Sequence, residues 1–243
     1  MMRVLVTGST QGLGRAAARS LLDAGHEVVV HARDTERLDA LSDLLDRGAE
    51  VVVGDLSDLE ETRQVADQVN ELGRMDAVIH NAGVDSSGLL MPVNVVAPYV
   101  LTALMDRPNR LIYLSSRMHF GGKPNLAGID WTGHKATGTY SDSKLFVTTL
   151  AFAFAERWPD VLVNAVDPGW VPTRMGGPDA TGDLHLGHVT QTWLATSNDP
   201  AALTTGGYWY HQSQDEPHPD SHVRAFQQEL LDALAATTGV ALG

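Results

Sequence analysis

The sequence predicts an α/β fold: a doubly wound parallel sheet of about seven strands with helices on both faces. Three observations predict it. Valine-rich apolar runs recur along the chain with few polar positions, the pattern of strands buried on both faces. Segments with apolar residues at helical spacing lie between them, and such alternation specifies a parallel sheet with right-handed crossovers. No internal repeat, low-complexity segment or linker interrupts the 243 residues, so residues 1–243 read as one domain.

The elements follow in order. VLVTG (Val4–Gly8) is a short apolar run closed by glycine. Gly12–Gly25 is a helix that ends on a glycine suited to the position after a C-cap. His26–Arg33 is the second strand, and Thr35–Arg47 is a helix with Leu38, Leu41, Leu44 and Leu45 on one face. Ala49–Leu56, a strand, precedes a helix over Asp58–Leu72, and Asp76–Gly83 is the fourth strand. A helix over Pro92–Met105, a strand over Arg110–Ser115, a long helix over Tyr140–Trp158 and a strand over Val161–Val166 continue the alternation. GGYWYHQ (Gly206–Gln212) supplies the seventh strand and Asp220–Ala236 the closing helix. Met118–Gly138 and Pro172–His188 are the least regular segments. Both follow strands, on the sheet edge where open α/β folds bind ligands.

The bulk properties narrow the function classes. A formal net charge of −13 repels nucleic acid and anionic membrane surfaces, so any phosphate must be held by local features. No apolar run approaches the ~20 residues that cross a bilayer, and no basic stretch leads into an apolar leader. A cytoplasmic location is the default expectation. The absence of cysteine removes disulfides, thiolate catalysis and cysteine-held metal.

TGSTQGLG (Thr7–Gly14) closes the first strand and opens the first helix, with glycines at 8, 12 and 14. Its spacing differs from both the GxGxxG fingerprint and the P-loop, but the logic is shared. Glycine lets backbone approach a ligand closely, and a helix N-terminus offers N–H groups and partial positive charge to a pyrophosphate. At the end of the second strand an acidic residue would hold a ribose hydroxyl; here the sequence reads His31-Ala32-Arg33. A guanidinium grips a 2′-phosphate bidentately, and Asp34 suits a cap of the next helix. NADP(H) is the expected cofactor, with NAD(H) as the alternative.

The set TGxxxGxG, Asn81-Ala82-Gly83, Tyr140-x-x-x-Lys144 and Pro168-Gly169 resembles the short-chain dehydrogenase/reductase family in its single-domain Rossmann form, in the family's order and over nearly the whole chain. The resemblance implies roles position by position. Gly8, Ser9, Gly12, Leu13 and Gly14 form the pyrophosphate turn. Asp55, followed by Leu56, accepts from the adenine amino group, and Asn81, Ala82 and Gly83 line the adenosine side. Asn94 matches the asparagine that holds a proton-relay water. Ser116, the second serine of Leu114-Ser115-Ser116-Arg117, binds the substrate oxygen. Tyr140 and Lys144 are the catalytic pair, which also touches the cofactor. Pro168, Gly169, Val171 and Thr173 contact the nicotinamide.

The tyrosine–lysine pair has a chemical rationale of its own. Only three lysines stand against fourteen arginines, and one of them sits a helical turn after a tyrosine. Residues i and i+4 share a helix face. A free tyrosine, with a pKa of about 10, is a poor base at neutral pH. A nearby ammonium favours the phenolate, so Tyr140 is expected to exchange a proton with a carbonyl or alcohol oxygen. Ser116 would polarise that oxygen. Arginine, with donors in a fixed fork, suits the lysine role badly.

Two departures from the family pattern stand out. Ser116 and Tyr140 are 24 residues apart, about twice the family's spacing, a feature shared with retinol-dehydrogenase-like members. SSRMHFGG and the PHP tail resemble them too. The insertion, with Trp131, His134 and Lys135, is read as a lip over the substrate. Asn81 and Asn94 are only 13 residues apart, so the loop at 84–93 is shortened. Residues 172–188 are read as a substrate lid with Gly176, Gly177 and Gly182 as hinges. His185 and His188 stand at helical spacing without a wider ligand set, so no metal is expected. Leu145–Trp158 is apolar enough for core on one side and an interface on the other, which favours a homodimer or homotetramer. The reading is an NADP(H)-dependent oxidoreductase acting on a small carbonyl or alcohol, with no nucleic-acid or membrane partner. Its alternative is a non-catalytic dinucleotide-sensing protein of the same fold.

Overall fold

A computed structural model describes residues 1–85 and 88–242. Eight strands form one sheet in the order β3-β2-β1-β4-β5-β6-β7-β8. They are β1 (Arg3–Val6), β2 (Glu27–Ala32), β3 (Glu50–Val53), β4 (Ala77–His80), β5 (Arg110–Leu114), β6 (Leu162–Asp167), β7 (Gly207–Tyr210) and β8 (Ser213–Asp215). The first seven pair in parallel, with Leu5 opposite Val29 on one side and Val78 on the other. The strand order reverses between β1 and β4, which puts a crevice at their carboxyl ends.

The helices are α1 (Gly12–Asp23), α2 (Ser42–Leu45), α3 (Leu59–Leu72), α4 (Ala97–Leu104), α5 (Tyr140–Arg157), α6 (Leu184–Thr196) and α7 (Arg224–Thr238). Two hydrophobic cores, one on each sheet face, hold them. Leu5, Val29 and Val78 face one core, and Val4, Val30 and Ile79 the other. Central strands bury both faces, as their uninterrupted apolar sequences require.

Several elements differ from expectation. The eighth strand, β8, runs antiparallel to β7 after a tight turn with His211 and Gln212 at φ 47° and 60°. No glycine marks that turn in the sequence. Thr35–Arg47 is not one helix: a 3₁₀ segment spans Thr35–Leu41 and α2 is a single turn. The Ser42 hydroxyl donates to the Asp39 carbonyl, a local bond that competes with helical continuation. Asp34 does cap the segment, its Oδ1 accepting from the Arg37 amide at 3.1 Å. The helix expected from Pro92 opens with a π turn, Pro92–Val96, in which the Ala97 amide donates to the Pro92 carbonyl. Pro98 has no N–H for the Asn94 carbonyl, which accounts for the wider turn. Residues 172–188 hold the first turn of α6, capped by Asp183. That helix makes the parallel crossover from β6 to β7.

α5 has no face left over for a partner along its middle: every residue from Ser143 to Ala155 is buried. Strands β5 and β6, α7 and two short 3₁₀ turns enclose it. Thr148 and Thr149 satisfy their hydroxyls on the carbonyls of Lys144 and Leu145. Trp131 in the 117–139 insertion is likewise core, 9% exposed and 5.9 Å from the Phe146 ring, so it forms no lip; His134 and Lys135 remain at the surface.

Candidate active site

The glycine turn is shaped by what it cannot accommodate. Gly8 lies at φ 67°, and a Cβ there would sit 2.9 Å from the Ala82 Cα. A Cβ on Gly14 would come within 2.4 Å of both the Asn81 Nδ2 and the Gly8 carbonyl oxygen. Buried polar groups fix the turn from behind. Thr7 Oγ1 accepts from the amides of Asn81 and Ala82, each at 3.0 Å, and Asn81 Nδ2 donates to the Thr7 carbonyl at 2.9 Å. The Gly8 amide donates to His31 Nδ1 at 3.0 Å, and His31 Nε2 meets the Gly54 carbonyl at 2.9 Å. Those partners assign the proton to Nε2, and burial pushes the ring further toward its neutral form. His31 thus braces the turn, a role its sequence position does not reveal. Ser9 and Gly14 are buried braces too, Ser9 accepting from the His31 amide at 3.1 Å.

In front of the turn a cleft of about 650 Å³ runs along the carboxyl ends of the strands. Among its lining residues are the predicted Gly8, Gly12, Leu13, Arg33, Asp55, Leu56, Asn81, Ala82, Gly83, Tyr140, Lys144, Pro168 and Thr173. Thr173 faces Gly12 across the gap. Arg33 Nε lies 3.3 Å from Asp34 Oδ2 and 3.9 Å from Asp55 Oδ2. Asp55 Oδ1 is engaged by the amide and hydroxyl of Ser57 at 2.9 and 2.8 Å. Arg37 also lines the cleft, its Nε donating to Asp34 Oδ2 at 3.2 Å, a residue the sequence reading missed. The signal was available: Asp34 as a cap places residue i+3 back on the same side.

Asn94, Ser116, Gly169 and Val171 do not line the cleft directly. Asn94 is buried, its Oδ1 accepting from the Val84 amide at 2.8 Å and its Nδ2 donating to the Val84 carbonyl and Ser143 Oγ, each at 2.9 Å. Its side chain therefore pins the shortened loop. Val171 is buried, and Gly169, at φ 79°, holds the turn after β6. Of the shortened loop, Ser86 and Ser87 lie outside the described residues.

At the other end of the cleft stand Tyr140 and Lys144, with Ser116 beside them just outside the lining. Tyr140 opens α5 beneath a capping box in which Thr139 and Asp142 serve each other's amides. Its hydroxyl points toward Met175 Sδ at 4.0 Å. Lys144, one turn on, is buried, and its Nζ donates to the Leu114 carbonyl at 2.8 Å while lying 5.5 Å from the Tyr140 ring centroid. Burial lowers the lysine to about 8, opposed by the Asp167 charge. For Tyr140 the expected lowering does not appear. Burial pushes the phenol up to about 12; a hydrogen bond from Ser116 opposes this, and the charges of Asp85 and Asp167 add to it. The amine lies over the ring, and desolvation with two carboxylates sets the direction of the shift. Ser115, by contrast, is buried and bonded to Thr148 Oγ1 at 2.6 Å, which leaves Ser116 as the serine within reach of the phenol.

The cleft fits a dinucleotide on structural grounds. The space that a Cβ at Gly8 or Gly14 would claim is kept for close backbone approach, beside the N-terminus of α1, and two arginines stand where β2 ends. Residues 2–106 match the family described as short chain dehydrogenase. A short-chain dehydrogenase chyC of Penicillium rubens is 38% identical over 100% of this chain and 99% of its own. Human retinol dehydrogenase 13 is 28% identical over 81% of this chain and 65% of its own. Among solved structures, an uncharacterized protein of Mycobacterium paratuberculosis superposes with a TM-score of 0.82 at 22% identity, covering 100% and 95% of the two chains. The Pseudomonas aeruginosa RhlG/NADP complex superposes at 0.69 with 23% identity, covering 85% and 93%. With that identity sustained along both full lengths, the chain belongs to the short-chain dehydrogenase family of oxidoreductases.

Proposed function

We propose that this chain is an NADP(H)-dependent reductase of a small carbonyl compound, with Tyr140 as the proton donor. The observation that carries it is the meeting of Tyr140 and Lys144 at one end of a cleft whose other end is a glycine turn, with the Ser116 hydroxyl bonded to the phenol from beside the lining. Gly8, Gly12 and Leu13 would hold the pyrophosphate, and Arg33 with Arg37 a 2′-phosphate. A bound nicotinamide supplies the hydride. The protein's part is then acid–base and positional. Ser116 and Tyr140 bind the carbonyl oxygen, which polarises the carbon. A phenol held near 12 is protonated at neutral pH, so Tyr140 is poised to give a proton to that oxygen rather than take one. This sense suits reduction. Lys144 uses one donor on Leu114 and has two more for a sugar hydroxyl.

The Pseudomonas aeruginosa RhlG complex supports the cofactor choice by analogy of fold only. Fluorescence titration with NADPH and NADH, alongside Arg33→Ala, tests it. NADPH should bind tighter, and Arg33→Ala should erase roughly tenfold of that preference, the equivalent of ~1.4 kcal/mol. Equal binding of NADH with a silent substitution removes the NADP(H) assignment. Tight NADPH binding without consumption across a panel of aldehydes and ketones would favour a dinucleotide sensor instead.

A further inference from the structure

We propose that Asp167 is a positioning residue for this reaction, clamping the Ser116 turn to the segment after β6 through its buried carboxylate. The inference rests on the reductase reading and adds a residue to it. Asp167 ends β6, is 2% exposed, and sits between the two loops that carry the proposed chemistry. Its Oδ1 accepts from the Gly169 amide at 2.9 Å, where the backbone turns through φ 79°. The Arg117 amide, next after Ser116, also donates to it. The Arg117 guanidinium comes back over it, Nε to Oδ2 at 3.7 Å, and is itself steadied by Asp215 Oδ2 at 2.8 Å and by the Tyr210 ring 5.6 Å away. One carboxylate therefore fixes the backbone on either side: the turn that aims the Ser116 hydroxyl and the Pro168-Gly169 corner. An asparagine of the same shape keeps the Oδ1 acceptor and loses the charge.

The charge reaches further than the hydrogen bonds. Six titratable or charged groups face Asp167 or its clamp: Arg117, Asp215, His211, Lys144, Tyr140 and Tyr208. Its negative charge favours the protonated forms of both Lys144 and Tyr140. An uncharged residue there should let both groups lose their protons at lower pH.

The test compares Asp167→Asn, Arg117→Ala and the double variant with the unmodified full chain. For Asp167→Asn we expect kcat for NADPH-driven carbonyl reduction to fall roughly tenfold, against the ~10² that a misplaced reacting group costs. NADPH affinity should stay near wild type, and the alkaline limb of the pH–kcat profile should move to lower pH. The double variant should be no worse than the poorer single, because both residues serve one clamp. A readout independent of turnover is tyrosinate absorbance under alkaline titration, with Tyr140→Phe subtracted in each background; Tyr140 should ionise at lower pH in Asp167→Asn. An unshifted profile and unshifted tyrosinate titration overturn the inference, as do additive losses in the double variant. Arg117→Ala, at an exposed side chain, keeps the test open should Asp167→Asn fail to fold, since its removal should reproduce the kcat loss. Wild-type protein that binds NADPH but consumes none sinks the reductase reading itself, whereas normal turnover with an unaltered Asp167→Asn sinks only this inference.

Discussion

The glycine turn and the lip opposite it, formed by the 170–186 segment and not by the 117–139 insertion, are two walls of one cleft held by opposite means. The turn is backbone fixed by polar partners: buried Thr7, Ser9 and His31 and half-buried Asn81 each spend a side chain on it. The lip, from Trp170 to Leu186, presents large apolar side chains to solvent, with Trp170 59% and Met175 43% exposed. Its internal bonds are few and local, such as Trp170 Nε1 to the Gly176 carbonyl at 2.9 Å and the Gly182 amide to the Trp170 carbonyl at 2.8 Å. The difference teaches that one wall is built for a fixed shape and the other for a variable one. An invariant cofactor group suits the first, a substrate the second.

The largest effect expected is at the junction of the two walls. Tyr140→Phe should lower carbonyl reduction by about 10²–10⁴-fold while NADPH titration stays close to wild type, because the role proposed for the hydroxyl is proton transfer. Retained turnover would take the proton-donor role away from Tyr140. Next comes the rigid wall. Gly14→Ala drives a Cβ into Asn81 and the Gly8 carbonyl at 2.4 Å and should cost about 3 kcal/mol or more in denaturant unfolding, if the chain folds at all. At Gly177, on the lip, the same substitution meets open space at φ 74° and should cost only about 1 kcal/mol. Equal penalties at the two glycines would erase the contrast between the walls.

Lys144→Met sharpens the comparison from inside. The folded chain binds this lysine's proton with an affinity of about 8 against 10.5 for the unfolded one. Between those values the unfolded state holds more protons, so stability rises with pH across that window. Below it the cost of the buried ammonium is fully present, on the order of 3 kcal/mol before counting its bond to Leu114. Lys144→Met should therefore raise the midpoint of urea unfolding at pH 7 by an equivalent of ~1–3 kcal/mol, flatten its rise toward pH 10 and abolish turnover. A destabilised variant would show that the Leu114 bond outweighs desolvation. The smallest effect is at the lip surface: Trp170→Ala should change stability by no more than ~0.5 kcal/mol yet raise KM for bulky carbonyls more than for short ones. A KM that moves equally for both would remove Trp170 from substrate contact.

Much of the rigid wall was legible in the sequence because its demands are local. Three glycines in eight residues and a valine-rich strand before them act over a few residues, as does the Tyr-x-x-x-Lys step at the other end of the cleft. The sheet was legible for the same reason, one apolar run at a time. What stayed hidden depends on partners far along the chain. His31 reads as a strand-end residue until the Gly8 amide, 23 residues away, is seen to donate to it. Asp167 reads as a polar prefix to Pro-Gly until Arg117 folds over it. The helix α6 was concealed by the glycines and proline of 176–182, which punctuate the chain just before it. The π turn at Pro92–Val96 follows from Pro98, which sits after the segment it distorts. The low proton affinity of the Tyr140 oxygen was expected from spacing alone, and burial reversed it.

The enclosure of α5 bears on how copies of this chain could meet. Phe226 of α7 packs at a tilt against Phe146, ring centroids 5.9 Å apart, and the Tyr99 hydroxyl of α4 donates to the Val240 carbonyl at 2.7 Å, so the C-terminal segment lies as a strap across the fourth and fifth helices. Two copies pairing through those helices would first have to unbuckle that strap and wet an aromatic seam. Association by that route would carry the cost of a partial unfolding.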